Sequence, residues 1–268
     1  MGISLKGVNL GYMGLDKSLL LEDQPPGPWQ CPAIAYIIET PEGRILFETG
    51  LSSRPVDEWL PEWQEVVDLT TVQPEAFLEN RLKDLALGPE DFRWVVQGHL
   101  HTDHAGGLRI FADANAELIC HEDEWNHVQA MEPEAENFFN KVDFAFLGDK
   151  KPTTVSGDTT ELTRDVSLVT LPGHTPGQVG MLIRLDKTGW VLLTSDALYH
   201  HESYGPPAVG TPIVWDREKW ERSVDKIRNL ATEREALIFP GHDEVGIKQA
   251  SSGSEFRTLD FSTGYEYQ

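Results

Sequence analysis

Apolar runs broken by glycine, proline and acidic residues divide the chain into short strands and a few amphipathic helices. Ala33–Glu39 and Arg44–Glu48 flank a Thr40–Gly43 turn and read as a hairpin. Phe92–Val96, Ala116–Cys120, Val166–Leu171, Val179–Leu185, Val191–Thr194 and Ala236–Phe239 read as further strands, the last closing the series. Helical spacing places Phe77, Leu78, Leu82, Leu85 and Ala86 near one face of a helix over Pro74–Leu87, stopped by Gly88-Pro89. Trp220, Val224, Ile227 and Leu230 mark one side of a helix over Arg217–Ala231, and His121–Phe139 reads as mostly helical. Residues 1–21 read as an edge strand and a turn. Glu22–Pro32 holds four prolines and a glycine and reads as a loop. Ser52–Pro74, rich in Trp, Pro and acids, reads as a short helix and an overhanging excursion. Lys141–Asp165 reads as a loose region of small hairpins.

The strand ends carry the chemistry. Three apolar strands run into Gly-His: Gly98-His99, Gly173-His174 and Gly241-His242. A fourth ends at Asp196. Glycine lets the backbone turn sharply there. Donors at four strand ends are what one edge of a sheet sandwich needs to build a site. Two stretches also echo each other: GRILFETG (43–50) and GWVLLTSDA (189–197) each run glycine, apolar strand, acid. Two similar halves, each a sheet faced by helices, predict an α+β fold, a four-layer αββα sandwich, in a single domain over 1–268.

The densest stretch is His99-Leu100-His101-Thr102-Asp103-His104, three histidines and an aspartate in six residues. His99 and His101, two apart, share one side of extended backbone. His101 and His104, three apart, suit the first turn of a helix beginning near Asp103 or His104. Imidazole and carboxylate suit zinc, iron, cobalt or manganese. Four donors this close fit two adjacent ions better than one, His99 and His101 on the first, Asp103 and His104 on the second. Glu48, at a strand end before Thr49-Gly50, reads either as a brace behind such a centre or as a solvated loop acid. His121 follows a strand directly and is placed to face the site; His127, six residues on, is not its partner on one helix face.

Charge narrows the partners. There are 22 basic and 44 acidic residues, a net charge of −22. That charge repels polyanions, so no nucleic-acid partner is expected. Cys31 and Cys120 are too few for a disulfide framework. The start MGISLKGVNLGYMG lacks the pattern of a signal peptide, and no window is apolar enough to span a membrane, so the expectation is a cytoplasmic protein without membrane contact.

With HLHTDH (99–104), PGHTPG around His174, SDALY with Asp196 and PGHD with His242, the chain resembles the metallo-β-lactamase superfamily. Within it, the chain looks most like the quorum-quenching N-acyl homoserine lactone hydrolases. The resemblance implies the αββα fold and two divalent ions, Zn2+ first, with Fe, Co or Mn as alternatives. It implies His99, His101 and His174 on one ion, Asp103, His104 and His242 on the other, and Asp196 bridging. Tyr199 matches the tyrosine that touches the substrate carbonyl, and Asp103 is the candidate to carry a proton to the leaving oxygen. The implied reaction is opening of a lactone ester by a hydroxide shared between the ions, on a small-molecule lactone. The family's first motif usually carries aspartate where this chain has Glu48. Neither cysteine falls in a metal motif, which separates the chain from the β-lactamases that use a cysteine ligand. Another ester or thioester hydrolase of the same fold (glyoxalase II-like), and a metal-stabilised interaction domain without activity, are the alternatives. Trp29, Trp59, Trp63, Phe144, Phe146 and Trp215 are candidate walls of an acyl groove. His200, His201 and Tyr204 are candidate rim residues, with Gly205–Pro212 shaping the entrance. A homodimer contact is expected, if anywhere, in the excursion over 52–74.

Overall fold

The computed structural model describes residues 2–250, 253–258 and 266–267. Its strands follow in chain order: β1 (Ser4–Asp16), β2 (Pro28–Thr40), β3 (Gly43–Phe47), β4 (Trp94–Val96) and β5 (Glu117–His121). A small hairpin, β6 (Ala135–Glu136) and β7 (Phe139–Asn140), comes next, then β8 (Thr153–Val155) and β9 (Thr159–Thr163). There follow β10 (Val166–Thr170), β11 (Val179–Leu185), β12 (Gly189–Leu193), β13 (Leu237–Phe239), β14 (Val245–Ala250), β15 (Gly253–Thr258) and β16 (Glu266–Tyr267). The helices are α1 (Pro55–Glu58), α2 (Pro61–Val66), α3 (Leu78–Asp84), α4 (Thr102–Ala105), α5 (Glu122–Ala130), α6 (His201–Tyr204) and α7 (Arg217–Arg234). One sheet has the order β16-β1-β2-β3-β4-β5-β8 and the other β15-β14-β13-β12-β11-β10-β9.

The two-residue side-chain period of strands sorts the layers. Ile34, Tyr36 and Ile38 of β2, Ile45 and Phe47 of β3, and Trp94 and Val96 of β4 point inward. They meet Leu168, Met181, Ile183, Val191, Leu193 and Phe239 of the facing sheet. The residues between them, Ala33, Ala35, Ile37, Leu46 and Val95, face outward under the helices and loops of the N-terminal half. On the far side Val169, Leu182, Leu192 and Ile238 pack against Trp220, Val224, Ile227 and Ala231 of α7. These are the four layers of an αββα sandwich. Phe239 in the inner layer is almost fully buried; truncating such a residue to alanine costs about 3–5 kcal/mol.

Several local expectations are corrected. The strand at the N-terminus is no edge: β1 lies between β16 and β2 and runs 13 residues. Trp29–Pro32, expected in a loop, belong to β2. Proline is tolerated because Pro28 opens the strand and Pro32 pairs with Tyr12 beside a register shift, where the ladder is already interrupted. The helix expected over 74–87 is split. Pro74–Ala76 forms a 3-10 turn, Phe77 is extended, and only Leu78–Asp84 is α-helical. The helix expected from His121 to Phe139 ends at Ala130, with Pro133 just beyond, and a hairpin takes its place. Leu237–Phe239 is not the last strand, since β14, β15 and β16 follow it.

Candidate metal centre

The site lies where strands end. The turn after β4 presents His99, His101, Asp103 and His104, with His104 on α4. The turn after β10 presents His174, that after β12 presents Asp196, and that after β13 presents His242. Close approach at this edge explains two of the glycines. A Cβ on Gly98 would lie 2.4 Å from Glu48 Oε1, and one on Gly241 2.3 Å from Asp196 Oδ1. Neither position has room for a side chain.

All seven residues singled out as donors come together. Asp196 Oδ2 is the hub, 3.3 Å from His242 Nε2, 3.4 Å from His104 Nε2, 3.6 Å from His174 Nε2 and 3.8 Å from His99 Nε2. His101 Nδ1 lies 3.0 Å from His174 Nε2. Asp103 Oδ2 is 3.5 Å from both His104 Nε2 and His242 Nε2. Two groups of donors stand side by side, His99 with His101 and His174, and Asp103 with His104 and His242.

The outer ring nitrogens of His99, His104, His174 and His242 are occupied, which turns the inner ones to the centre. His242 Nδ1 pairs with the Pro32 carbonyl and His174 Nδ1 with the Ile213 carbonyl, each at 2.9 Å. His99 Nδ1 faces Ser195 Oγ at 3.2 Å, and His104 Nδ1 faces Glu48 Oε1 at 3.4 Å. Glu48 is therefore the buried brace of the two alternatives, not a solvated acid. Ser195 Oγ also donates to Glu48 Oε1 at 2.7 Å.

Electrostatics match the crowding. Burial and the neighbouring rings hold His99 and His101 well below the usual imidazole range. Burial is the largest single influence on His104 and His242 and works the same way, but their neighbours together outweigh it, Asp196 with Asp103 and Glu48 at His104 and Asp196 with Cys31 at His242, and both are pushed well above. Burial alone would raise the Asp196 carboxyl; His242 and His104 instead carry it well below the carboxylate range. Burial, with Asp196 and Asp103 nearby, pushes the Tyr199 hydroxyl well above its ordinary value.

The donor set fits cations. His99 Nε2 and Asp196 Oδ1 are buried without a hydrogen-bond partner, a costly arrangement for polar atoms. Two nitrogens at tetrahedral angle on one zinc, each about 2.0–2.1 Å from it, stand roughly 3.3–3.4 Å apart. The observed separations cluster near that value.

A narrow cavity opens onto the cluster. His101, Asp103, Asp196, Tyr199 and His242 form its polar end; Met13, Leu15, Leu19, Leu20, Trp59 and Phe138 are among its apolar walls. Tyr199 lies stacked on His242 and edge-on to His174. Of the six loop aromatics considered from sequence, Trp59 lines this cavity. Trp63 sits behind it, stacked on Phe138. Trp29 packs edge-on against His200, Phe144 against Trp125, and Trp215 is half exposed beside Lys219. Residues 13–20 were missed as a wall because they read as edge strand and turn. His200 and His201 gather on Asp243, and Tyr204 packs into the cluster under α7, so none of the three forms the rim. His121 accepts a hydrogen bond from Asp123 N at the start of α5 instead of joining the donors.

Residues 28–242 match the family model of the metallo-β-lactamase superfamily. The chain belongs to that superfamily. An N-acyl homoserine lactonase of Agrobacterium fabrum, AiiB, is 30% identical over 263 residues, covering 91% of this chain and 94% of the relative. An N-acyl homoserine lactonase of a Bacillus species is 31% identical over 242 residues, covering 88% and 91%. Among solved structures, an AiiA variant of B. thuringiensis with N-decanoyl-L-homoserine at its active site superposes with a TM-score of 0.79 at 27% identity, covering 91% and 94%. This member of the superfamily is a metal-dependent hydrolase. Among the described residues, no helix is long and apolar enough to cross a membrane.

Proposed function

We propose that this protein opens the ester bond of N-acyl homoserine lactones. The observation that carries the reading is the apolar cavity ending on the cluster of donors, with Tyr199 and Asp103 at the junction. A lactone ring at the polar end leaves its acyl chain against Leu15, Leu19, Leu20 and Phe138. Relatives named for this reaction along nearly the whole chain support the choice of substrate.

His99, His101 and His174 would hold one divalent cation, Asp103, His104 and His242 a second, and Asp196 would stand between them. Two zinc ions, when bound, supply Lewis acidity and a hydrolytic nucleophile at neutral pH. Tyr199 keeps its proton, since burial and two carboxylates oppose its loss. Its hydroxyl donates to the ring carbonyl oxygen as negative charge develops there, an interaction worth on the order of 3 kcal/mol in the transition state. Asp103 is partly open to the cavity, with Oδ2 turned to the histidines. As water adds to the ring carbonyl carbon, the second Asp103 oxygen would take a proton from that water and pass it to the ring oxygen when the ester C–O bond breaks, leaving an open hydroxy acid.

The test is a substrate panel on protein of measured metal content: N-hexanoyl and N-decanoyl homoserine lactones, γ-butyrolactone, a thioester and a β-lactam. The expected result is two zinc ions per chain and the highest kcat/KM on an N-acyl homoserine lactone. Fully loaded protein that prefers the thioester or the β-lactam would overturn the proposal.

A further inference from the structure

Glu124, in the first turn of α5, has no part in the chemistry above and is fully buried. Its two oxygens reach two different loops. Oε1 accepts from Leu100 N at 3.0 Å, and Oε2 accepts from Gly177 N at 2.8 Å. Leu100 stands between His99 and His101. Gly177 comes three residues after His174. One carboxylate thus ties the turn leaving β4 in one sheet to the turn leaving β10 in the other. Close fit enforces the contact: a Cβ on Gly177 would lie 2.4 Å from Glu124 N and 2.9 Å from Glu124 Cβ. The remaining donors are steadied elsewhere, His104 by Glu48 and His242 by the Pro32 carbonyl.

We infer that Glu124 is a positioning residue for one half of the metal centre, the half formed by His99, His101 and His174. The inference rests on reading those histidines as metal donors. A carboxylate accepts at both oxygens; an amide accepts at one and presents N–H groups at the other. In Glu124→Gln, either Leu100 N or Gly177 N faces another donor and loses its partner, so the two turns drift apart. Supporting groups of this kind are worth about 10–100-fold in metal affinity. The shift should fall on one cation and spare the other.

The experiment titrates metal-free protein with Co2+ against a competing chelator, following visible absorption and bound stoichiometry. The parent protein should take up two equivalents. Glu124→Gln should take up one with unchanged affinity and the second about 10–100-fold more weakly. In a His174→Ala background, Glu124→Gln should leave the affinity of the remaining ion unaltered. Equal weakening of both equivalents, or two unchanged equivalents, would overturn the assignment. Absence of cation uptake by the parent protein would instead overturn the reading of the histidines as donors. Hydrogen exchange on the parent protein gives an arm that needs no variant. The Leu100 and Gly177 amides should stay protected in metal-free protein, and exchange at open-loop rates would overturn the clamp.

Discussion

The units β2–β3–β4 and β11–β12–β13 are built alike and end differently. In each, a glycine opens the second strand, which pairs antiparallel with the strand before it and parallel with the strand after it. In the first unit the acid follows the strand at once. Glu48 takes a positive φ of 67° and turns to His104 and Ser195. In the second unit the acid comes three residues after the strand. Ser195 takes the positive φ, 47°, and Asp196 reaches the middle of four imidazoles. The same scaffold, with the acid displaced by two positions, yields a brace in one half and the hub in the other. The hydrogen bond between Ser195 and Glu48 joins the two turns.

Four substitutions probe this contrast. Asp196→Asn removes the hub and should cost more than the loss of any supporting group, upwards of about 100-fold in kcat/KM, with loss of at least one ion. Elemental analysis finding both ions at parental affinity would erase the distinction between hub and brace. Tyr199→Phe should lower kcat about 100-fold while both ions stay bound; unchanged turnover on the best lactone would remove the phenol from the reaction. Glu48→Gln should weaken metal binding about tenfold, since the carboxylate acts through His104. A loss as large as that of Asp196→Asn would mean the two acids are equivalent after all. Ser195→Ala deletes the link between the turns and should cost about 2 kcal/mol of stability in chemical unfolding, with both ions retained.

Much of the inner architecture was legible in the sequence because it rests on short apolar runs bounded by turn residues. The apolar run from Ala33 to Ile38 and the Gly-His strand ends follow from backbone geometry within a few residues. The repeat between Gly43–Gly50 and Gly189–Ala197 pointed to paired halves. What escaped depends on contacts distant in sequence. Pro28 and Pro32 hid a strand because the register shift that tolerates proline lies on its partner. Glu124 gave no local signal, since its targets, Leu100 and Gly177, are backbone groups 24 and 53 positions away. Most loop aromatics proved to pack elsewhere because aromatic content alone does not say which side of a loop is covered. Glu48 could be read two ways until its burial and its neighbour His104 were known.

The β1 segment from Met13 onward, with the turn to Leu20, walls the cavity yet contributes none of the seven convergent side chains. On the proposed reading, recognition of the acyl tail and the bond-breaking machinery occupy separate stretches of polypeptide. Selection can reshape the first by small changes of volume at Leu15 or Leu19 without disturbing the second. A catalyst divided in this way is free to diversify its diet while its reaction stays constant.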